Sequence, residues 1–289
     1  VITTTAMLET YRRWHWLQRD TQDIDPVYPV LRELTQGWDR EERAWLVLLH
    51  VGYYHLGSTL RAFDAYPIPH PGLVTKVGRL PCATERRGHR NPISLARHWL
   101  SLLDEIDRWG SAYGLLCAPS WAELVERLAA VHGNGRWATY KAAEMAQKVL
   151  DVPIVVPDAA HADSSGPRKG LSLVLGPQAV DNGVDTIRQL DTLTTELAHD
   201  LREIDLGYVE TSLCDFHSLA AGRYYLGHDI DQMLGQLYEV PTILTSPALL
   251  ARRHSLPDAY LGEIHGWRGI NPDRRKVFAR SGYIMERFA

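Results

Sequence analysis

Apolar residues recur three and four positions apart along most of this 289-residue chain, a period that fits helices and not strands. The longest clean stripe is Val184, Ile187, Leu190, Leu193, Leu197 and Leu201. Trp45, Leu48, Leu49, Tyr53, Leu56 and Leu60 form another, after the acidic first turn of Asp39, Glu41 and Glu42. Leu95, Trp99, Leu102, Leu103 and Ile106 follow Asn91-Pro92, a helix-start signal. Ile230, Met233, Leu234 and Leu237 make a shorter stripe. Ser120 and Glu123 read as a capping box for a helix ending at Gly133, and residues 136–150 as the helix after it. Only residues 152–156 and 171–175 suggest strands, and both read equally well as extended loop. The expectation is a mainly α protein with few or no short strands. It is a single helical domain over residues 1–289, with room for two lobes around a cleft near residues 133–171.

Bulk properties exclude several classes. No apolar run approaches the roughly 20 residues needed to span a bilayer, so no membrane partner is expected. No signal-peptide pattern opens the chain. Val1 in place of an initiator methionine is expected of a chain numbered from inside a longer one. Cys82, Cys117 and Cys214 are odd in number and lack C-x-x-C spacing, against a disulfide framework or a zinc site. A reducing cytoplasm fits them best. The net charge of −4 excludes a globally basic nucleic-acid coat but leaves room for a local basic footprint.

Three segments concentrate chemistry. LPCATERRGHR (residues 80–90) packs Arg86, Arg87 and Arg90 around Gly88, and guanidinium forks suit phosphate oxygens. Composition alone also allows a solvated loop with an ion pair to Glu85. PDAAHADSSGPRKGL (residues 157–171) combines Asp158, His161, Ser164, Ser165, Arg168 and Lys169 with two glycines, which offers a base, hydroxyl donors and cations. The segment at residues 210–231 holds Glu210, Cys214, Asp215, His217, Arg223, His228, Asp229 and Asp231. Its spacing sets no compelling ligand pair on one helical face, so neither a metal nor a cofactor is expected. His50 and His55 read as satisfied core or cleft-lining residues, and Cys214 as a buried structural thiol.

A Gly-Asn-Gly turn (Gly133, Asn134, Gly135) joins two helical patterns, and Asp158 follows beyond the second. That order resembles the helix-hairpin-helix DNA glycosylases. In those proteins the hairpin holds a DNA phosphate on backbone N–H groups, and an aspartate sits over an extruded nucleotide. No lysine lies where a lyase would use one, and Lys141 falls a turn into the helix.

Taken together, DPVYPVLRE, WLVLLHVGYYHLGS, LPCATERRGHR, GRWATYKAAEM, SSGPRKGL, ETSLCDFHS and GRYYLGHDID resemble a more specific family. This is the phage amino acid:DNA transferases, also described as α-glutamyl/putrescinyl thymine pyrophosphorylases and related to the glycosylases above. The resemblance covers about Asp25 to Asp231. It implies thymine hypermodification in an infected bacterial cell. An amine or amino acid would displace pyrophosphate from the exocyclic methylene of a pyrophosphorylated 5-hydroxymethyluracil in double-stranded DNA. Arg86, Arg87, Arg90, Gly133, Asn134, Gly135 and Arg136 would then meet DNA. Ser164, Ser165, Arg168, Lys169 and Arg223 would hold pyrophosphate or co-substrate. Asp158 takes the position of the glycosylase aspartate, and His161 has the better unperturbed pKa for accepting the amine proton. The alternatives are a glycosylase acting on a modified base and a non-catalytic DNA-binding protein.

Overall fold

A computed structural model of the protein describes residues 4–76, 79–159, 161, 164–176 and 186–256. These fold into helices α1 (Thr4–Thr21), α2 (Val27–Leu34), α3 (Arg40–Tyr53), α4 (Leu56–Ala65) and α5 (Leu73–Lys76). A 3₁₀ helix (Thr84–Arg90) precedes α6 (Pro92–Arg108), α7 (Ala112–Leu116), α8 (Trp121–Ala129) and α9 (Arg136–Leu150). Next come α10 (Ser165–Leu175), α11 (Thr186–Leu201), α12 (Leu206–Ala220), α13 (His228–Glu239) and α14 (Thr245–Ser255). Among the described residues there is no strand, and no helix is long and apolar enough to cross a membrane. Val184, which opens the longest stripe, lies outside the described residues.

The chain divides into two compact units. Unit 1 takes residues 1–26, 156–231 and 256–289, and unit 2 takes residues 27–155 and 232–255. The centre of unit 2 is α3, whose residues from Ala44 to Tyr53 are all buried. Asp39 starts it with a reciprocal capping box to Glu42. It ends where Tyr54 turns left-handed, at φ 48°. His55 then caps α4 by accepting the Ser58 N–H at 3.1 Å, so a histidine side chain does the work of the usual short polar cap. Its neighbour His50 is buried on Thr59, so both histidines of this segment are satisfied within the core.

In unit 1, Tyr11 and Trp14 of α1 share a core with Leu171 and Val174 of α10, Leu190 and Leu197 of α11, and Leu213 and Phe216 of α12. Residues 152–156 are extended loop, but residues 171–175 continue α10 as helix. The strand reading of this apolar run, whose one β-branched residue is Val174, yields to a helix on which Gly166 and Gly170, four residues apart, put two bare backbone positions on one face. A Cβ at Gly170 would stand 2.1 Å from the Leu213 carbonyl oxygen, and one at Gly166 would stand 2.5 Å from the Cys214 Sγ. Helices α10 and α12 therefore touch backbone to backbone. Gly170→Ala should destabilise unit 1 by about 1–3 kcal/mol, the usual cost of overpacking, read as a lower denaturation midpoint. An unchanged midpoint would mean that the two helices need no such approach.

Candidate functional site

The basic loop folds as the 3₁₀ helix, and its period of three sorts the charges. Arg86 and His89 face inward, while Arg87 and Arg90 are exposed. Arg86 is only 5% exposed. Its guanidinium donates to the carbonyls of Gly52 (3.4 Å) and Gly133 (3.2 Å), to Asn134 Oδ1 (3.1 Å) and to His89 Nε2 (2.8 Å). The ring of His89 must therefore carry its proton on Nδ1, which donates to the Gly52 carbonyl at 2.7 Å. The sequence put Arg86 on DNA phosphate. The structure places it on protein carbonyls, because buried protein acceptors already fill its donor fork.

This clamp shapes the Gly-Asn-Gly turn. Gly133 has φ +81°, and a Cβ there would stand 2.8 Å from His89 Nε2, so both conformation and space demand glycine. Asn134 also turns inward, donating to the Leu128 carbonyl at 3.1 Å. Exposed Gly135 is left as the N-cap of α9, with no side chain capping the first N–H groups. A helix start without a side-chain cap leaves N–H groups of the kind that suit an anion. Arg136, half-buried, opens that helix. Farther along α9, Lys141 is buried and bonded to Glu144 at 2.9 Å, an arrangement unlike the accessible amine that a lyase needs.

The second loop belongs to unit 1. Asp158 is half-buried, whereas His161 is 0% exposed. His161 Nε2 lies 2.6 Å from Thr194 Oγ1, which itself lies 2.8 Å from the Leu190 carbonyl. At the start of α10, Ser164 makes no side-chain cap, and Arg168 folds back to donate to the Ser164 carbonyl at 3.1 Å. Ser165 and Lys169 are exposed, as is Arg223 beyond the end of α12. Burial and then the charges of Arg223 and Lys169 push the His217 pKa down, which places both cations near one imidazole. Neither has an ion-pair partner among the described residues.

Sequence reasoning missed what lies against α12. Asp23 is 0% exposed and accepts from the N–H groups of Gly227 (2.6 Å) and Ile230 (3.3 Å) and from the Tyr224 hydroxyl (3.0 Å). Burial, then the charge of Asp229, pushes its pKa up to about 8. Asp215 is also buried and accepts from Gln18 Nε2 at 2.8 Å. Burial and the charges of Asp229, Asp23 and Asp25 hold Asp215 well above the ordinary carboxylate range. Half-buried Asp229 accepts from His228 Nδ1 at 2.7 Å. The alternation of acids at residues 23 and 25, and again at 229 and 231, was the signal in the sequence. Among the described residues no group of three or more His, Cys, Asp or Glu has a metal-binding arrangement.

A family model described as amino acid:DNA transferase matches residues 19–225. No curated protein matches the chain.

Two outcomes are expected from this geometry. Replacing Arg87 and Arg90 by alanine should leave stability unchanged and flatten the slope of log DNA affinity against log salt. The slope should fall by about 1 for each phosphate no longer neutralised. Arg86→Ala should instead destabilise unit 2 by about 1–3 kcal/mol for each buried acceptor left unmet. A flatter slope from the Arg86 variant with stability intact would reverse these assignments.

The second outcome concerns pH. Burial, then the charge of Arg86, pushes the His89 pKa down to about 4 from 6.5. Between those values the unfolded chain binds more protons, so unit 2 loses stability as pH falls through that window. Asp23 has the opposite sign. Its folded pKa of about 8 lies above 3.8, so unit 1 loses stability as pH rises from about 4 to 8. Hydrogen exchange, corrected for intrinsic rates, should show opposite pH trends in α3 and α12. Parallel trends would refute the assignment.

Proposed function

Because the chain belongs to the amino acid:DNA transferase family, we propose that it installs an amino acid on a hypermodified thymine by displacing pyrophosphate. Membership makes the chain an enzyme, a transferase that couples an amino acid to DNA. The substrate on this reading is double-stranded DNA carrying pyrophosphorylated 5-hydroxymethyluracil, supplied by a separate kinase. The amine loses a proton, and its nitrogen lone pair forms a C–N bond to the exocyclic methylene. The C–O bond breaks in the same displacement, and its electron pair leaves with pyrophosphate.

The observation that carries this reading is that two exposed cations, Lys169 and Arg223, act on the same imidazole of His217, with Lys169 on the helix α10 whose start has no side-chain cap. A departing pyrophosphate gathers charge. Two exposed cations without carboxylate partners among the described residues can neutralise it. Ser164 and Ser165 add hydroxyl donors, and Arg168 a further guanidinium. In unit 2, Arg87, Arg90, Gly135 and the first turn of α9 hold the DNA backbone, with Arg136 beside them. Arg86, Gly133 and Asn134 keep that turn in shape. Asp158 orients the extruded base, a role its partial exposure permits. His161 holds the loop to α11 through Thr194.

Purified protein given pyrophosphorylated 5-hydroxymethyluracil DNA and a mixture of amino acids should release one pyrophosphate per base modified. Nucleoside mass spectrometry should find the amino-substituted thymidine. Alanine at Lys169 and Arg223 together should lower kcat by about a hundredfold or more with the fold intact, the scale for losing electrostatic stabilisation of a leaving group. Release of free base with abasic sites would replace this reading with a glycosylase.

A further inference from the structure

Unit 1 buries carboxylates for which its described residues supply no cation. The bonds that Asp23 receives from Gly227 and Ile230 make it a cap for the start of α13, which accounts for its burial. No comparable role explains Asp215. It sits on α12 with Gln18 Nε2 as its hydrogen-bond donor, and it has no ion-pair partner among the described residues. Asp229 adds a second negative charge nearby and is half-buried, so it reaches solvent.

Gln18 provides an independent observation. Its side chain is 0% exposed, and its Oε1 has no hydrogen-bond donor among the described residues. With Asp215 ionised the amide keeps this orientation, because a carboxylate needs a donor and only Nε2 can give one. One amide therefore serves Asp215 with its nitrogen and leaves a buried oxygen waiting for an N–H. A neutral acceptor beside the Asp215 carboxylate, with the charge of Asp229 acting on the same group, calls for a compact cation with several donors. An ammonium group has three donors and no acceptor.

We propose that Asp215, Asp229 and Gln18 Oε1 form the site for the ammonium group of the amino-acid co-substrate, with Asp215 accepting the proton that the amine must lose. The assignment rests on the transfer reaction above. The proton passes from the ammonium nitrogen to a carboxylate oxygen of Asp215, leaving a neutral amine. That nitrogen then forms the C–N bond while the C–O bond to pyrophosphate breaks. The product ammonium gives its remaining extra proton to solvent. Burial among like charges brings Asp215 closer to the basicity of an amine than an ordinary aspartate, which favours the transfer. Asp229 gives the incoming cation a charged entrance.

The test uses the full chain and saturation-transfer NMR with the twenty amino acids and their N-acetyl derivatives, which lack the ammonium charge. It is run with and without an unmodified DNA duplex. Free amino acids, and not the acetylated ones, should bind the wild-type protein. Asp215→Asn and Asp229→Asn should each abolish that signal and raise KM for the amino acid by about tenfold or more, the scale for a lost charge-assisted hydrogen bond. Asp215→Asn should also lower kcat, yet it keeps its bond to Gln18 and removes a buried charge, so its Tm should hold or rise. Equal binding of acetylated amino acids overturns the site, as does the absence of binding under both conditions. Wild-type KM and kcat in Asp215→Asn overturn it too, and leave the transferase reading standing. Amino-acid binding that depends on Asp215 would survive even if the DNA product proved to be an abasic site.

Discussion

The hydrogen bonds of Arg86 and His89 draw together three segments of unit 2 that lie far apart in sequence: the end of α3, the 3₁₀ helix and the turn before α9. Each partner constrains the next. The Gly52 carbonyl fixes the proton on His89 Nδ1, which leaves Nε2 to accept from Arg86. The remaining donors of Arg86 reach the Gly133 carbonyl and the Asn134 side chain. Burial first, and then a donor placed opposite a donor next to a permanent cation, oppose protonation of His89, which is why its pKa lies so low. The turn is thus shaped by buried polar groups whose geometry admits one tautomer and one residue at position 133. With its side chains spent inward, the turn leaves the start of α9 without a side-chain cap, and N–H groups at a helix start are the chemistry an anion asks for.

Much of this fold could be read from periodicity. The stripes around Leu95 and Leu190 became α6 and α11, and the one from Trp45 to Leu60 became α3 and α4, broken at Tyr54, because a 3.6-residue repeat admits few other ways to bury apolar surface. Asp39 and Ser120 acted as caps for the same local reason. Sidedness within a charged loop was not readable. Composition showed three arginines, and only the 3₁₀ period, visible once the chain had folded, divided Arg86 from Arg87 and Arg90. The run at residues 171–175 misled because a short apolar run suits a strand and a buried helix equally. There the four-residue spacing of Gly166 and Gly170 was the better guide. Asp158, His161, Lys169 and Arg223 were legible as a polar concentration, but not the burial of His161 or the gathering of two cations at His217. The acidic group was hardest to see. Gln18, Asp23, Asp215 and Asp229 come from opposite ends of unit 1's sequence, and each alone looks like a surface residue.

Arg86 in unit 2 and Asp215 in unit 1 treat buried charge in opposite ways, and the contrast separates structure from chemistry. In unit 2, Arg86 has an acceptor on every side, and Lys141 and Lys148 both meet Glu144. A charge so completely answered holds a shape and has nothing left for a ligand. In unit 1, Asp215 meets an amide and other acids, and that amide still carries an oxygen unmet among the described residues. Removing this carboxylate would relieve the fold, since an uncompensated buried charge costs stability that a neutral isostere recovers. Local violation of packing rules at no structural gain is the pattern expected where a group is kept for what it binds. The same contrast orders the exposed charges. Among the described residues Lys169 and Arg223 have no carboxylate partner, and a carboxylate there would compete with the pyrophosphate that we propose they neutralise. A built-in cation beside Asp215 would compete with an arriving amine in the same way.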